Sequence, residues 1–465
     1  MRSLCVKTLD TNLRRLHRFG KSHRHASSAF PDFIPESLKE SVKSSLVKTV
    51  TERRRDELNG YHHHHHHHHH HPSTPHGDIN RSSLGLEDPL DDLLVDEPTR
   101  YWPSLPKGVE KVDPVHLTKS DIDGLSQSIR EDLIGTDHPV LNKAAAYFFE
   151  SSADGGKKVR PMMVMLLSRA LADTVMDTTG PKPSASPTGL PTVLSRPHAF
   201  QRPDLPDAQR RLAEISEMIH TASLFHDDVI DGAETRRGVP AVHMAFGNKM
   251  AILAGDYLLA RASICLARLR QVQVIETMST IIEHLVRGEV MQMRGSLSSE
   301  TSNVRLLYYL QKNFYKTGSL MANSCRSAAL LGDYPEKLVE ASYLYGKHVG
   351  MAFQLVDDIL DFEGSLLQLG KAPLSDLKAG IATAPVFFAA EDQPSLEPLI
   401  DRKFREEGDV ERAVELIHAT DGIERTKQLA RCHAEKAMDA ALSFTPSLYR
   451  DALVQLAHKV VARTK

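Results

Sequence analysis

Residues 224–232 read LFHDDVIDG, and residues 354–364 read QLVDDILDFEG. Each segment sets three carboxylates within five residues, directly after a long apolar stretch of helical period. On a helix, Asp227 and Asp231 share one face, with Asp228 beside them; Asp357, Asp358 and Asp361 repeat the arrangement. Like charges at this spacing repel, so such helices need cations to compensate them. Both clusters follow apolar stripes, which places both at the mouth of a helical core. Carboxylates paired across a bundle interior form hard-oxygen metal sites. Magnesium fits best, because it keeps water and bridges carboxylates to substrate phosphates. No His/Cys ligand set favours zinc.

The remaining pattern agrees with a helical core. Apolar residues recur at helical spacing over 141–149, 162–171, 212–225, 252–269, 275–293 and 343–362, and strand-like alternation is nearly absent. The expectation is an all-α domain over 101–465, a bundle of about ten or more helices around a central cavity. Residues 173–208 hold seven prolines and read as a loop inserted between helices. Apolar residues make up 41% and charged residues 25%, the balance of a soluble globular protein. A net charge of −3 gives no global bias toward nucleic acid. No apolar run approaches the roughly 18 residues of a membrane span. The longest candidate, GIATAPVFFAA from Gly380, is too short and contains a proline. Cys5, Cys265, Cys325 and Cys432 are isolated, with no C-x-x-C pair, which fits a reducing compartment.

Residues 1–29 carry Arg2, Lys7, Arg14, Arg15, Arg18, Lys21 and Arg24 against the single acid Asp10, with Leu4, Leu9, Leu13 and Leu16 at helical spacing. A mitochondrial presequence has this form, and so does a plain basic tail. Residues 30–100 are low in complexity and include ten consecutive histidines, His62 to His71, to which no function is assigned.

Basic groups supply the complement to the aspartates. DGGKKVRP gives Lys157, Lys158 and Arg160; ETRRGVP gives Arg236 and Arg237; YKTGSL gives Lys316 and Thr317; LGKAP gives Lys371. Arginine forks and lysine point charges suit phosphate oxygens. None of these segments is a P-loop or a G-x-G-x-x-G turn. Singly, such clusters are mostly solvated faces. Together with two acidic clusters they point to a diphosphate held with magnesium.

GGKKVRP, SLFHDDVIDGAETRRGVPA, AGDYLLARA, GEVMQM, YKTGSL and GMAFQLVDDILDF, in that order, resemble the trans-isoprenyl diphosphate synthases, the polyprenyl synthetases. The resemblance runs from about residue 137 onward, outside the Pro-rich loop, and is nearest to the mitochondrial long-chain type that makes the ubiquinone side-chain precursor. It implies that Lys157, Arg160 and His220 hold isopentenyl diphosphate. It implies Mg²⁺ on Asp227, Asp231 and Asp357, with Asp361 as a further ligand. Arg236 would contact the allylic diphosphate (farnesyl or geranylgeranyl) and Arg237 the isopentenyl one. Lys316, Thr317, Gln354 and Lys371 would complete the allylic pocket. Gly318 stands where the family usually has alanine, and LGKAPLSDLKAG departs from the family's GKPxGxDL. The implied enzyme is a homodimer or heteromer with no nucleic-acid partner. It sits in the mitochondrial matrix or at the inner-membrane periphery, where peripheral membrane association is allowed.

The chemistry follows from the residue types. Cations stabilise charge building on a departing diphosphate, and a water-poor cavity protects the carbocation left behind. Upstream of Asp227, the small Ala222 and Ser223 leave room for a growing chain to pass toward Met218. A product longer than C20 is expected, and Ala222→Phe should shorten it. Small residues there would equally permit close helix packing. Three other readings stay open: a short-chain geranylgeranyl diphosphate synthase, a class I terpene cyclase, and a non-catalytic subunit of a heteromeric synthase. The large Ala222–Ser223 space, GGKKVRP and the two intact aspartate clusters argue against each in turn.

Overall fold

A computed structural model of the chain describes residues 93–94, 100–134, 139–150, 158–179, 205–236, 238–295, 302–363 and 374–463. The expected presequence, nearly all of the low-complexity region with its histidine run, and Lys157, Arg237 and Lys371 lie outside the described residues. The principal helices are α1 (Pro139–Glu150), α2 (Val159–Thr179), α3 (Leu205–Asp231), α4 (Asn248–Leu269), α5 (Val272–Arg294), α6 (Ser302–Asn313), α7 (Ser319–Leu331), α8 (Glu336–Glu363), α9 (Ala384–Asp392), α10 (Asp409–His418), α11 (Gly422–Leu442) and α12 (Leu448–Ala462). Among the described residues the only sheet is a two-residue antiparallel ribbon, β1 (Thr235–Arg236) with β2 (Val239–Pro240). The all-α expectation is met.

Two expectations need correction. The inserted loop does not span 173–208, because helix enters it from both sides. Residues 173–179 contain no Gly or Pro, so α2 continues to Thr179, just before Gly180 and Pro181. Pro206 lies in the first turn of α3, where its missing N–H is no loss. In addition, α4 is long and apolar enough to cross a membrane by length and composition. Lys249, Asp256, Arg261 and Arg268 interrupt its sequence and hid this from a search for unbroken apolar runs. One face of α4 packs on α3, burying Ala251, Ala254, Leu258 and Ala262. The other face leaves Ile252, Leu253 and Ile264 exposed.

Helix α8 organises the bundle. It packs along α7 and α11 and links two apolar cores. Tyr345, Val349 and Ala352 belong to the larger core; Met351, Leu355 and Val356 belong to the smaller one, with Phe387 and Ile400. Two glycines set the α7–α8 distance. A Cβ on Gly346 would lie 2.5 Å from the Met321 carbonyl oxygen, and one on Gly350 would lie 2.8 Å from the Gly318 Cα. Glycine inside a helix costs about 1 kcal/mol relative to alanine. The close backbone approach across these positions offsets that cost with packing contacts. On α3, fully buried Leu212, Met218 and Phe225 each contribute roughly 1.5–3 kcal/mol by leaving water.

One buried polar pair ties α8 to α11. His348 Nδ1 and His433 Nδ1 lie 2.8 Å apart, and His433 Nε2 lies 3.2 Å from the Leu93 carbonyl oxygen. A carbonyl only accepts, so His433 carries its proton on Nε2 and takes a hydrogen bond from His348 Nδ1–H. Burial, reinforced by the neighbouring His433, holds His348 well below the ordinary histidine range, and burial pushes His433 down to about 3. Both are neutral in the fold, whereas the unfolded chain binds protons below about pH 6.5. The stability contributed by the pair is therefore complete above about pH 6.5 and is lost as pH falls toward 3. Urea unfolding should give a lower midpoint at pH 5.5 than at pH 7.5. A His348→Leu/His433→Leu variant should show a flatter pH dependence, and an unaltered slope would refute this role.

Candidate functional site

The first acidic cluster ends α3. Gly232, at φ +65°, takes the left-handed conformation that stops the helix just past Asp231. Asp228 points inward and is 0% exposed. It accepts a 2.9 Å hydrogen bond from Arg236 Nε, and the Arg236 guanidinium closes on the same oxygen through a second nitrogen. Its other oxygen is buried with no hydrogen-bond partner. Burial lifts the Asp227 carboxyl to about 6 against the pull of Lys316, with Glu289 and Asp231 adding to the rise. Burial also raises Asp231. Negative charge is in excess at this helix end.

The position of the helix end depends on a close approach. The His226 imidazole lies against α4 at Gly255, where a Cβ would fall 2.3 Å from Nε2. A Cβ at this glycine of AGDYLLARA would force the ring that precedes Asp227 to shift.

The second cluster ends α8, and its three carboxylates have different surroundings. Asp358 is buried and accepts from Gln354 Nε2 at 3.1 Å. Asp361 is fully buried; one oxygen accepts from Ser375 Oγ at 2.7 Å and Ser375 N at 3.2 Å, the other from Asp376 N at 3.0 Å. Asp361 thus fastens the start of the short helix Ser375–Lys378. Asp357 is the most exposed of the three, and it pairs with Arg463 Nη2 at 2.6 Å.

One irregular turn reaches both clusters. After Asn313 the chain widens into a single π-helical turn, Phe314–Gly318. Such a turn re-aims consecutive side chains and is frequent at functional sites. Lys316 Nζ donates to Glu289 Oε2 at 2.5 Å and Gln292 Oε1 at 3.0 Å, and its charge acts on Asp227 and Asp231. Next to it, Thr317 Oγ1 donates to Gln354 Oε1 at 3.1 Å, and Gln354 leads to Asp358. Gly288 permits the approach, since a Cβ there would meet Lys316 Cγ at 2.7 Å.

Of the residues expected for diphosphate, Lys316, Thr317 and Gln354 meet on this turn, while Arg236 is engaged with Asp228. Arg160 lies in the first turn of α2, which packs on α3. His220 lies two turns before Asp227 on α3. Ala222 and Met218 are fully buried in the main core, whereas Ser223 is half-buried, on the face of Asp227, with its hydroxyl donating to the His220 carbonyl. Sequence reasoning missed Glu289 and Gln292, although both stand in GEVMQM at an i, i+3 spacing that puts them on one helix face. It also missed Asp376, although this residue stands at the Asp of the family's GKPxGxDL, and Arg463, which no motif marks.

Among the described residues, no group of three or more His, Cys, Asp or Glu side chains forms a ready-made metal cage. The donor set still fits a hard divalent ion. The groups are carboxylates, and one buried oxygen of Asp228 lacks a hydrogen-bond partner. Magnesium takes few protein carboxylates and completes its shell with water and phosphate oxygens.

Comparison with known proteins places the sequence and the fold in one family. The polyprenyl synthetase family profile matches residues 138–417. The chain is 45% identical over 377 residues to a probable mitochondrial hexaprenyl pyrophosphate synthase of Neurospora crassa, covering 77% of this chain and 83% of that protein. It is 38% identical over 434 residues to the mitochondrial hexaprenyl pyrophosphate synthase of Saccharomyces cerevisiae, covering 76% and 91%. The fold matches a polyprenyl synthase from Caulobacter crescentus, complexed with calcium and isoprenyl diphosphate, at a TM-score of 0.61 and 30% identity, covering 77% of this chain and all of that one. By its sequence and its fold, this chain belongs to the polyprenyl synthetase family.

Proposed function

We propose that this chain is a mitochondrial long-chain trans-polyprenyl diphosphate synthase that supplies the ubiquinone side chain. It would add isopentenyl diphosphate repeatedly to an allylic primer. The observation that carries the reading is the π-turn at Phe314–Gly318, which touches the surroundings of both acidic clusters at once. The names of the fungal relatives support a long-chain, mitochondrial product type.

When bound, Mg²⁺ would supply positive charge to the leaving diphosphate, held by Asp227 and Asp231 on one side and by Asp357 on the other. Asp361, with both oxygens already accepting hydrogen bonds, mainly fixes the start of the helix Ser375–Lys378. Lys316 and Arg236 are cations held in place by acids, Glu289 and Asp228, so their charge is oriented before substrate arrives. As the allylic C–O bond breaks, its electron pair leaves with the diphosphate. The isopentenyl double bond then attacks the allylic carbon, and the proton lost from the adduct goes to the departing diphosphate. Lys157, Arg160, His220 and Arg237 would hold isopentenyl diphosphate; Thr317, Gln354 and Lys371 would line the allylic side. The apolar core around α3 excludes water from the cation.

The oligomer is proposed as a dimer of like chains. The outer faces of α4 and α5 expose Leu253 at 55% and Val286 at 60%, with Ile252, Ile264, Val290 and Met293 exposed alongside. Exposed apolar side chains gathered on helix faces in this way are a feature of association surfaces. A heteromeric partner would use the same surface.

Purified protein given Mg²⁺, farnesyl diphosphate and labelled isopentenyl diphosphate should form products of C30 to C50. Asp227→Ala and Asp357→Ala should each lower turnover by about a hundredfold or more, the scale of losing a main charge-stabilising group. Full activity in both variants would refute the site.

Ser223, sharing the Asp227 face without being locked in the core, is the better position for a cavity floor than Ala222. Ser223→Phe should shorten the product, whereas Ala222→Phe should also destabilise the fold by about 1–3 kcal/mol through overpacking. Product sizing and thermal melts separate the two effects, and an unchanged product from Ser223→Phe would refute this floor.

Leu253→Glu combined with Val286→Glu should halve the mass measured by light scattering. A mass unaffected by both changes would place the interface elsewhere.

A further inference from the structure

Each acidic cluster has one carboxylate gripped by an arginine, but the two arginines differ in which carboxylate they hold. In the first cluster Arg236 takes Asp228, the inward member, and leaves Asp227 and Asp231 for metal. In the second cluster Asp358 and Asp361 are occupied by Gln354 and by the Ser375–Asp376 backbone. Asp357 is the remaining member, and Arg463 holds it.

The Arg463 contact is a built one. Arg463 follows the last turn of α12, and its side chain is only 16% exposed against 45% for Asp357. Its Nη2 donates to Asp357 Oδ1 at 2.6 Å and to the Phe353 carbonyl oxygen at 2.6 Å. The guanidinium lies 3.9 Å from the centroid of the Phe353 ring. Phe353 and Asp357 are one turn apart on α8, so ring and carboxylate form a two-point seat for one planar cation. Cation–π stacking and a charge-assisted hydrogen bond together hold arginine better than either does alone. The Arg463 Nε is buried with no hydrogen-bond partner, so the guanidinium is not fully satisfied and gives up less than a complete set of bonds when it leaves.

We propose that Arg463 is a resident counter-cation of Asp357 that a divalent metal ion must displace, so that it sets the metal affinity of the second acidic cluster. It acts through Asp357 and is a positioning residue. The inference rests on the reading of Asp357 as a metal ligand. In the metal-free protein Arg463 pairs with the most exposed carboxylate of the second cluster and keeps it aligned with the helix. When a dication arrives, the guanidinium leaves Asp357 but can stay over Phe353. Metal loading of the second cluster is thereby coupled to the end of α12, and loading is weakened until substrate phosphate adds its own oxygens to the metal.

The test measures metal binding without turnover. In the full chain carrying Asp227→Asn and Asp231→Asn, Mn²⁺ binding at the second cluster is titrated at constant ionic strength by the loss of the free Mn²⁺ resonance signal. Arg463→Gln should tighten Mn²⁺ binding by about three- to tenfold, the worth of a partly buried ion pair with a stacked ring. Arg463→Lys should stay near the parent. Phe353→Leu, which removes the ring but leaves Asp357 untouched, should move affinity in the same direction as Arg463→Gln and by less. Unchanged or weaker binding in Arg463→Gln overturns the proposal. Asp357→Asn in the same background separates the two levels. If it abolishes Mn²⁺ binding, the ligand reading stands whatever Arg463 does. If it binds like its parent, the ligand reading and the counter-cation fall together.

Discussion

The site depends on unneutralised carboxylate charge held where water is scarce. Asp228 is completely buried and burial pushes the Asp227 carboxyl up to about 6, while Ile230 and Asp231 at the last turn of α3 face solvent. A fold can keep such charge only if cations are close, and here each one comes from a different element. Arg236 reaches back from the ribbon that follows α3, Lys316 comes from the π-turn, and Arg463 comes from the end of α12. The apolar packing that forms the bundle also excludes solvent from this charge. Burial therefore makes the end of α3 costly in isolation and effective as a grip on a polyvalent ligand.

Much of this was legible in the chain itself. The aspartates, their helical spacing and the apolar stripes before them follow from local rules, and the structure puts all six carboxylates on the ends of α3 and α8 as those rules require. What each carboxylate does was not legible. Spacing treats Asp357, Asp358 and Asp361 alike, whereas the fold fastens Asp361 to the next helix and pairs the more exposed Asp357 with Arg463. That difference comes from residues 375, 376 and 463, distant in sequence, and helical periodicity carries no information about such contacts.

The basic residues show the same limit from the other side. Lys316 and Arg236 were recognisable as cations suited to phosphate, but not as cations already held by Glu289 and Asp228. Glu289 lies in a helix with exposed apolar neighbours, where one acid more looks like a solvated face. Its role emerges only when the π-turn comes against Gly288. The glycines were the most informative residues that carry no chemistry. Gly255, Gly288 and Gly350 each mark a place where another element comes too close for a methyl group. The length of the inserted loop, by contrast, was misjudged because proline density says where helix cannot continue, not where it first stops.

The contact of Gly350 on the Gly318 backbone has a further consequence. With no side chain between them, α8 and the π-turn leave no slack through which a mutation could widen or narrow the gap by degrees. In the proposed enzyme this side of the site is therefore fixed, whereas half-buried positions such as Ser223 on α3 can change size. Descendants of such a chain could acquire deeper or shallower cavities by altering residues on α3 while the diphosphate grip stays the same, so that product size and reaction chemistry can diversify independently.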